Sequence, residues 1–471
     1  MITLHDISLG IGAQPPQTVA LDRVVHHFEI DSRQVERDDV FIALPGERAD
    51  GHDYVSQALA RGALVAIVRK DRAVMAPEEK LIRVDDVLTA LQKLGAYWRA
   101  KFPTPPLRVI AVTGSIGKTT TKELAAQILA LRFNTLKNEG NLNNEIGVPL
   151  TLLNLRPYHE RAVIEMGMYL RGEIASYCQW ARPHVGVLTM IGPVHLERLG
   201  TMENIALAKR ELIDALPAAA DGGIAILNND DPRVMEMAAH TRARIITYGL
   251  TSAADVWADD IESHGLDGIS FRLHHGDGAW MVHAPLLGQH SAQTALRAAA
   301  VGWGEGMNWE DIVEGLSQRT DQLRLSVLDG PHHSIVLDDS YNASPESTMA
   351  ALNLLAQLSD GPRVAVLGDM LELGEDEEKA HREIGCRAGI VAAYLVCVGP
   401  RAKWIAEEAI ACGAKKSNVV CVTNNAEALD ALKRIIREKS VILIKGSRGM
   451  VMEEIVQGLT GVQSAHFGHK G

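Results

Sequence analysis

The segment Gly114-Ser115-Ile116-Gly117-Lys118-Thr119-Thr120 narrows the possible folds of this chain more than any other. It follows an unbroken apolar and β-branched run, Arg108-Val109-Ile110-Ala111-Val112-Thr113, and opens a helical pattern that reaches Leu131. A strand that ends in a glycine turn and feeds a helix is a unit of a parallel α/β sheet. A phosphate-binding loop needs the same context. Glycines let backbone N–H groups turn towards phosphate oxygens, and the helix N-terminus adds the positive end of its dipole. Lys118 is then placed to reach the β- and γ-phosphates, and the Thr119 hydroxyl to ligate Mg²⁺. The general loop has glycine six residues before the lysine, where this chain has Val112; its first glycine is Gly114, which makes a shorter form. A nucleoside triphosphate is the ligand expected at residues 114–120.

The rest of the chain repeats the α/β style. Before the loop, Val40–Leu44 and Leu64–Val68 read as strands, and Tyr54–Arg61 and Val87–Ala100 as helices. A linker follows at Phe102-Pro103-Thr104-Pro105-Pro106, where three prolines in four positions favour extended backbone. Beyond the loop, Ala162–Ile164, Val185–Leu188 and Ile224–Leu227 read as buried parallel strands. A polar stretch, Ser317 to Gln322, interrupts the pattern. Five more runs, Ile335–Leu337, Val364–Leu367, Tyr394–Val398, Val419–Val420 and Val441–Ile444, predict a second doubly wound sheet. With 471 residues, three domains are expected: a small α/β unit over 1–104, a parallel-sheet ATP-binding unit over 105–322 and a Rossmann-like unit over 323–471.

Composition removes other function classes. Lys+Arg 47 against Asp+Glu 59 gives a net charge of -12, so the chain as a whole repels a nucleic-acid backbone. Aromatics at 4% leave few stacking platforms for single strands. The five cysteines form no Cys-x-x-Cys pair, and buried or free thiols in a reducing compartment are expected. The N-terminus lacks the basic start and apolar run of a signal peptide. No stretch approaches the ~20 apolar residues of a spanning helix. A cytoplasmic monomer is expected.

Three residues downstream of the loop join it as candidates. Glu165 closes the run Ala162-Val163-Ile164. A carboxylate at the carboxyl end of a parallel strand shares the loop's sheet edge, and a hard Mg²⁺ takes such an oxygen. A solvated strand-end glutamate is the plain alternative. His195 follows the next strand and occupies the equivalent edge, so a metal ligand and a structural histidine stand level. Lys209, on a helical stretch, reads from composition alone as a solvated lysine.

Longer strings carry a resemblance. Val112 to Glu123 resembles the ATP loop of the Mur ligases, and Gly140-Asn141-Leu142-Asn143-Asn144-Glu145-Ile146-Gly147 resembles the segment after their first central helix. Asp338-Asp339-Ser340-Tyr341-Asn342-Ala343-Ser344-Pro345-Glu346-Ser347 is the most specific string and resembles the MurF type. Gly368-Asp369-Met370-Leu371-Glu372-Leu373-Gly374, Lys445-Gly446-Ser447-Arg448, Asp31-Ser32-Arg33, Leu44-Pro45-Gly46-Glu47 and Asp50-Gly51-His52 agree with it. The resemblance implies an ATP-dependent ligase that adds D-alanyl-D-alanine to UDP-N-acetylmuramoyl-tripeptide through an acyl phosphate, in peptidoglycan precursor synthesis. It implies Mg²⁺ at two sites, on Thr119 and Glu165 and on His195, and a Lys209 carbamoylated by CO₂. It implies nucleotide contacts from His290, Arg324, Asp339 and Asn342, and catalytic work for Lys118, Glu165, His195 and Lys209. Substrate contacts are implied for Ser32, Arg33, Gly46, Asp50, His52, Asn143, Asn144, Lys445 and Arg448. The chain departs from the family at Ile116, at Ser291 and Thr294 where asparagines help seat the adenine end, at Gln322-Leu323 and at Ser344. Three rivals remain open: a Mur ligase adding a single amino acid, a regulatory P-loop NTPase whose phosphate release needs no acyl acceptor, and a scaffold whose nucleotide site has degenerated near His290.

Overall fold

A computed structural model describes residues 1–16, 19–46, 49–319, 325–358 and 361–462. Arg324, Glu47 and the expected boundary at 322/323 lie outside the described residues. Three sheets form, one in each expected unit. The first has four parallel strands in chain order: Phe28–Glu29, Val40–Ile42, Val65–Arg69 and Leu81–Val84.

The nine-stranded central sheet is the one that positions the site. Arg108–Thr113 is the third strand from one edge, paired in parallel with Arg161–Glu165 on one side and Val185–Leu188 on the other. The chain therefore leaves this strand towards both sides, and the crevice at its carboxyl end is a topological switch point. Thr135–Lys137 lies beyond Arg161–Glu165, while Ile224–Asn228 and Arg244–Gly249 extend the other side. The sheet is not parallel throughout: Val256–Ser263, Ile269–His275 and Gly278–Ala284 run antiparallel to one another at its far edge. Val256–Ser263 alternates buried and open residues and carries Asp259 and Asp260, so its half-solvated pattern hides it among loop sequence.

The third sheet places Ile335–Asp339, Val441–Lys445, Arg363–Gly368, Tyr394–Val398 and Val419–Val422 side by side in parallel. One antiparallel edge strand, Ser326–Asp329, is added to the five expected from sequence. The expected thiol state needs correction here. Cys386 and Cys412 are joined by a disulfide with their Cα atoms 5.2 Å apart. Their helices, Glu377–Val391 and Ala402–Ala411, approach closely because residues 385 and 389 are glycines; a Cβ on Gly385 would meet the Ile405 carbonyl oxygen at 2.4 Å. Cys178 and Cys397 are buried thiols and Cys421 is exposed. No helix of the described residues is long and apolar enough to cross a membrane.

Candidate active site

The loop at the switch point is built around two glycines. Gly114 has φ +141°, and a Cβ there would lie 1.8 Å from Thr189 Oγ1, so no other residue fits. Gly117, at φ +80°, caps the helix Lys118–Ala130 with no side chain over its first N–H groups. Those groups are left for an anion. Ser115 ties the loop down: its hydroxyl donates to the Gly192 carbonyl at 3.0 Å and accepts from the Gly192 N–H at 2.8 Å. Ile116, Lys118, Thr119 and Thr120 are half-buried along the mouth. Lys118 Nζ folds back onto the loop, donating to the carbonyls of Gly114 at 2.7 Å and Ser115 at 3.2 Å.

Glu165 ends the neighbouring strand and is fully buried. Its Oε1 accepts from Asn143 Nδ2 at 2.7 Å, and its backbone N–H donates to Asn138 Oδ1 at 2.9 Å. Its Oε2 is buried without a hydrogen-bond partner. A buried carboxylate oxygen with nothing to accept from is costly unless a cation or proton completes it. Among the described residues no three His, Cys, Asp or Glu side chains converge on one point. Mg²⁺ does not need such a cage; it takes one or two carboxylates, waters and phosphate oxygens. The free oxygen of Glu165 beside a phosphate loop fits that chemistry.

Lys209 is 2% exposed on the helix Met202–Asp214, so the solvated reading from composition fails. Burial, and then the positive charge of Lys118, hold its ammonium well below the usual lysine range. His195 sits in left-handed backbone at φ +57°. Its Nδ1 lies 2.6 Å from Glu372 Oε2, and its ring packs edge-on to Tyr169. Burial pushes the His290 imidazole down, while Asp339 pushes it up, which places His290 in the field of the third domain.

In that domain Lys445 is buried and spent internally, donating to Asp339 Oδ2 at 2.7 Å and the Asn342 carbonyl at 2.9 Å. Arg448 donates its N–H to Asn342 Oδ1 at 3.3 Å and lies over the Tyr341 ring. In the first domain the Ser32 hydroxyl donates to Gln57 at 2.9 Å, Arg33 is exposed and forks onto Asp31, and the Gly46 N–H donates to the Ala49 carbonyl. His52 offers no nitrogen to a ligand: Nδ1 meets Asp50 Oδ1 at 2.6 Å and Nε2 accepts from the Arg69 N–H at 3.0 Å. In the structure His52 is a buried brace between Asp50 and Arg69. Asn144 likewise accepts from the N–H groups of Ile146 and Gly147. Asn143 holds Glu165, a role that its place in the quoted string did not reveal. Glu372, Asn138 and Thr189 join the site only through the fold.

Models of three domains match in succession: the Mur ligase family catalytic domain over residues 24–99, the Mur ligase middle domain over 112–302 and the Mur ligase glutamate ligase domain over 323–448. The UDP-N-acetylmuramoyl-tripeptide–D-alanyl-D-alanine ligase of Bacillus subtilis (strain 168) is 38% identical over 445 residues, covering 93% of each chain. The chain belongs to the Mur ligase family. The ligase of the same name from Escherichia coli (strain K12) is 36% identical, covering 91% of this chain and 92% of its own. MurF from Acinetobacter baumannii superposes with a TM-score of 0.82 at 34% identity, covering 98% of this chain and 99% of its own. MurF from Thermotoga maritima in complex with ADP gives 0.77 at 28% identity, covering 93% and 98%.

Proposed function

We propose that this chain is the ATP-dependent ligase that joins D-alanyl-D-alanine to UDP-N-acetylmuramoyl-tripeptide in peptidoglycan precursor synthesis, acting as a cytoplasmic monomer. One observation carries it: a phosphate loop and a buried carboxylate with a free oxygen meet at the switch point of a chain that matches ligases of this name along nine-tenths of its length.

A carboxylate resists attack by an amine in water, so it must first be activated. The tripeptide carboxylate attacks the γ-phosphorus of ATP; the bond to the bridging oxygen breaks, and ADP leaves behind an acyl phosphate. The dipeptide amine then attacks the acyl carbon and expels phosphate, losing one proton. Lys118 exchanges its contacts with the Gly114 and Ser115 carbonyls for the transferring phosphoryl oxygens. Thr119 and Glu165, and His195 with a modified Lys209, would hold Mg²⁺, which when bound would spread the charge developing on that group. Lys209 suits modification because burial and the charge of Lys118 disfavour its ammonium form. A neutral Nζ adds to CO₂ and loses one proton, giving a carbamate anion that restores the buried charge balance beside Lys118. Arg324, His290, Asp339 and Asn342 are assigned to the nucleotide, with Lys445 holding Asp339 in place. Ser32, Arg33, Gly46 and Asp50 are assigned to the UDP-sugar, and Arg448 to the peptide end. Closure of the third domain excludes water that would hydrolyse the acyl phosphate.

Phosphate release from ATP, measured with UDP-N-acetylmuramoyl-tripeptide and with or without D-alanyl-D-alanine, tests the reading. Release that requires both, with a UDP-pentapeptide product by mass, is expected. Release indifferent to the dipeptide would point to another acceptor. Lys209→Ala is expected to lose activity and regain part of it with short-chain carboxylates; full activity in the variant would end the carbamate assignment.

A further inference from the structure

Behind the phosphate loop lies a cation that the mechanism above does not use. Arg297, on the helix Ser291–Gly304, is 5% exposed. Its Nη2 donates to Thr294 Oγ1 at 3.0 Å and its Nη1 to the Tyr248 hydroxyl at 3.3 Å, with the guanidinium 5.3 Å from the Tyr248 ring centre. Its Nε is buried with no partner. The guanidinium presses against the loop itself: a Cβ on Gly117 would lie 3.3 Å from Nη2. Tyr248 is anchored in turn, donating to the carbonyls of Leu188 and of Thr189, the residue that backs Gly114.

No carboxylate among the described residues pairs with this cation. The nearby acids make no contact with it and turn to neutral donors instead: Asp231 accepts from the Ile191 N–H, and Asp230 from the Leu250 N–H and Gln293. A guanidinium is always charged, and burying it without a carboxylate in contact is unfavourable. Two hydroxyl partners satisfy part of its hydrogens and none of its charge. The anion the neighbouring loop is shaped to hold would supply that charge.

We infer that Arg297 is a nucleotide-binding residue, a second fixed cation directed at the phosphate chain of ATP through the Gly117 end of the loop. The inference rests on the reading of residues 114–120 as the ATP site and adds a residue that no loop motif contains. Arg297 lies 180 positions beyond Gly117 and reaches it only because its helix packs against the back of the loop's own helix.

The test uses the full chain, with dissociation constants for ATP and ADP by calorimetry and the unfolding midpoint of the nucleotide-free protein. Arg297→Gln keeps polar contact with Thr294 and Tyr248 but removes the charge. It should weaken ATP by about tenfold or more, the scale of one charge-assisted hydrogen bond, while the nucleotide-free midpoint holds or rises. Arg297→Lys, which keeps charge and loses the fork, should fall between. A brace for the fold would behave in the opposite way, with a lower midpoint and unchanged affinity. If Arg297→Gln does not fold, the Arg297→Lys affinity decides. ATP binding within threefold of wild type in the folded variant would overturn the inference alone. Absence of ATP binding by the wild-type chain would overturn it together with the ligase reading.

Discussion

The two junctions flanking the central domain are built from different materials. On the N-terminal side the domains share one core. Leu91, Leu94 and Trp98 of the helix Val87–Ala100 belong to the same buried cluster as Val148, Leu152 and Ile164 of the central domain. Gly95 lets Pro149 approach until a Cβ would lie 2.8 Å away, Trp98 Nε1 donates to the Leu155 carbonyl, and Arg99 Nε donates to the Ala181 carbonyl. On the C-terminal side the third domain keeps its own two clusters, with Leu287 the only central hydrophobic side chain packed against them among those described. Polar contacts bridge the gap: His195 to Glu372, the Glu197 N–H to the Glu372 carbonyl at 3.4 Å, and Glu346 facing Gly192. A shared apolar core cannot part without exposing its surface to water, whereas a few polar contacts exchange with water at little cost. The first two domains should therefore move as one body and the third separately, which is what a site closed by the third domain requires.

The sharpest way to break this contrast is Trp98→Ala. It removes a buried indole and its hydrogen bond at the apolar junction, and should cost about 3–5 kcal/mol, read by chemical denaturation. A loss confined to the N-terminal domain, with the central domain unfolding as before, would show the core is not shared. Gly95→Val overpacks the same junction against the Pro149 backbone and should cost about 2–3 kcal/mol.

Acid probes the same side. His184 Nδ1 accepts from the Val109 N–H at 3.2 Å, and burial, with Arg108, Arg99 and Arg161 nearby, holds the imidazole down to about 4. The folded state thus refuses a proton that the unfolded chain accepts below its ordinary value of 6.5. Stability contributed by this site is complete above that value and is lost as pH falls from 6.5 towards 4. After solvent screening the loss is about 1–2 kcal/mol. His184→Gln should flatten that part of the stability–pH curve, and an unaltered slope would assign it to other groups.

The smallest thermodynamic effect is expected at the polar junction. Glu372→Gln removes a partly exposed carboxylate partner of the His195 ring and should change stability by under about 1 kcal/mol. It should nevertheless enlarge the nucleotide-free molecule in small-angle scattering, because the third domain loses its tie to His195. An unchanged radius of gyration would mean that other contacts hold the domain.

Much of the site was legible in the sequence because its parts are local. The strand, glycine turn and helix around residues 114–120 each follow from adjacent residues, and Glu165 announces itself at a strand end. Parallel strands buried on both faces appear as apolar runs, so both doubly wound sheets could be expected. The antiparallel edge over 256–284 could not, because half-solvated strands mix polar and apolar residues as loops do.

What tertiary structure alone decided are pairings between residues far apart in the chain. Lys209 reads as a surface lysine until its helix is packed beside Lys118. His195 meets Glu372 across 177 positions, and Cys386 meets Cys412 because two helices meet at glycines. His52 and Lys445 look available to substrate in the sequence, yet the fold gives their nitrogens to Asp50, Arg69 and Asp339. Local sequence sets backbone conformation and hydrophobic period. It carries no record of which distant charge will share a low-dielectric interior, and that partnership determines whether a buried group braces the fold or waits for a ligand.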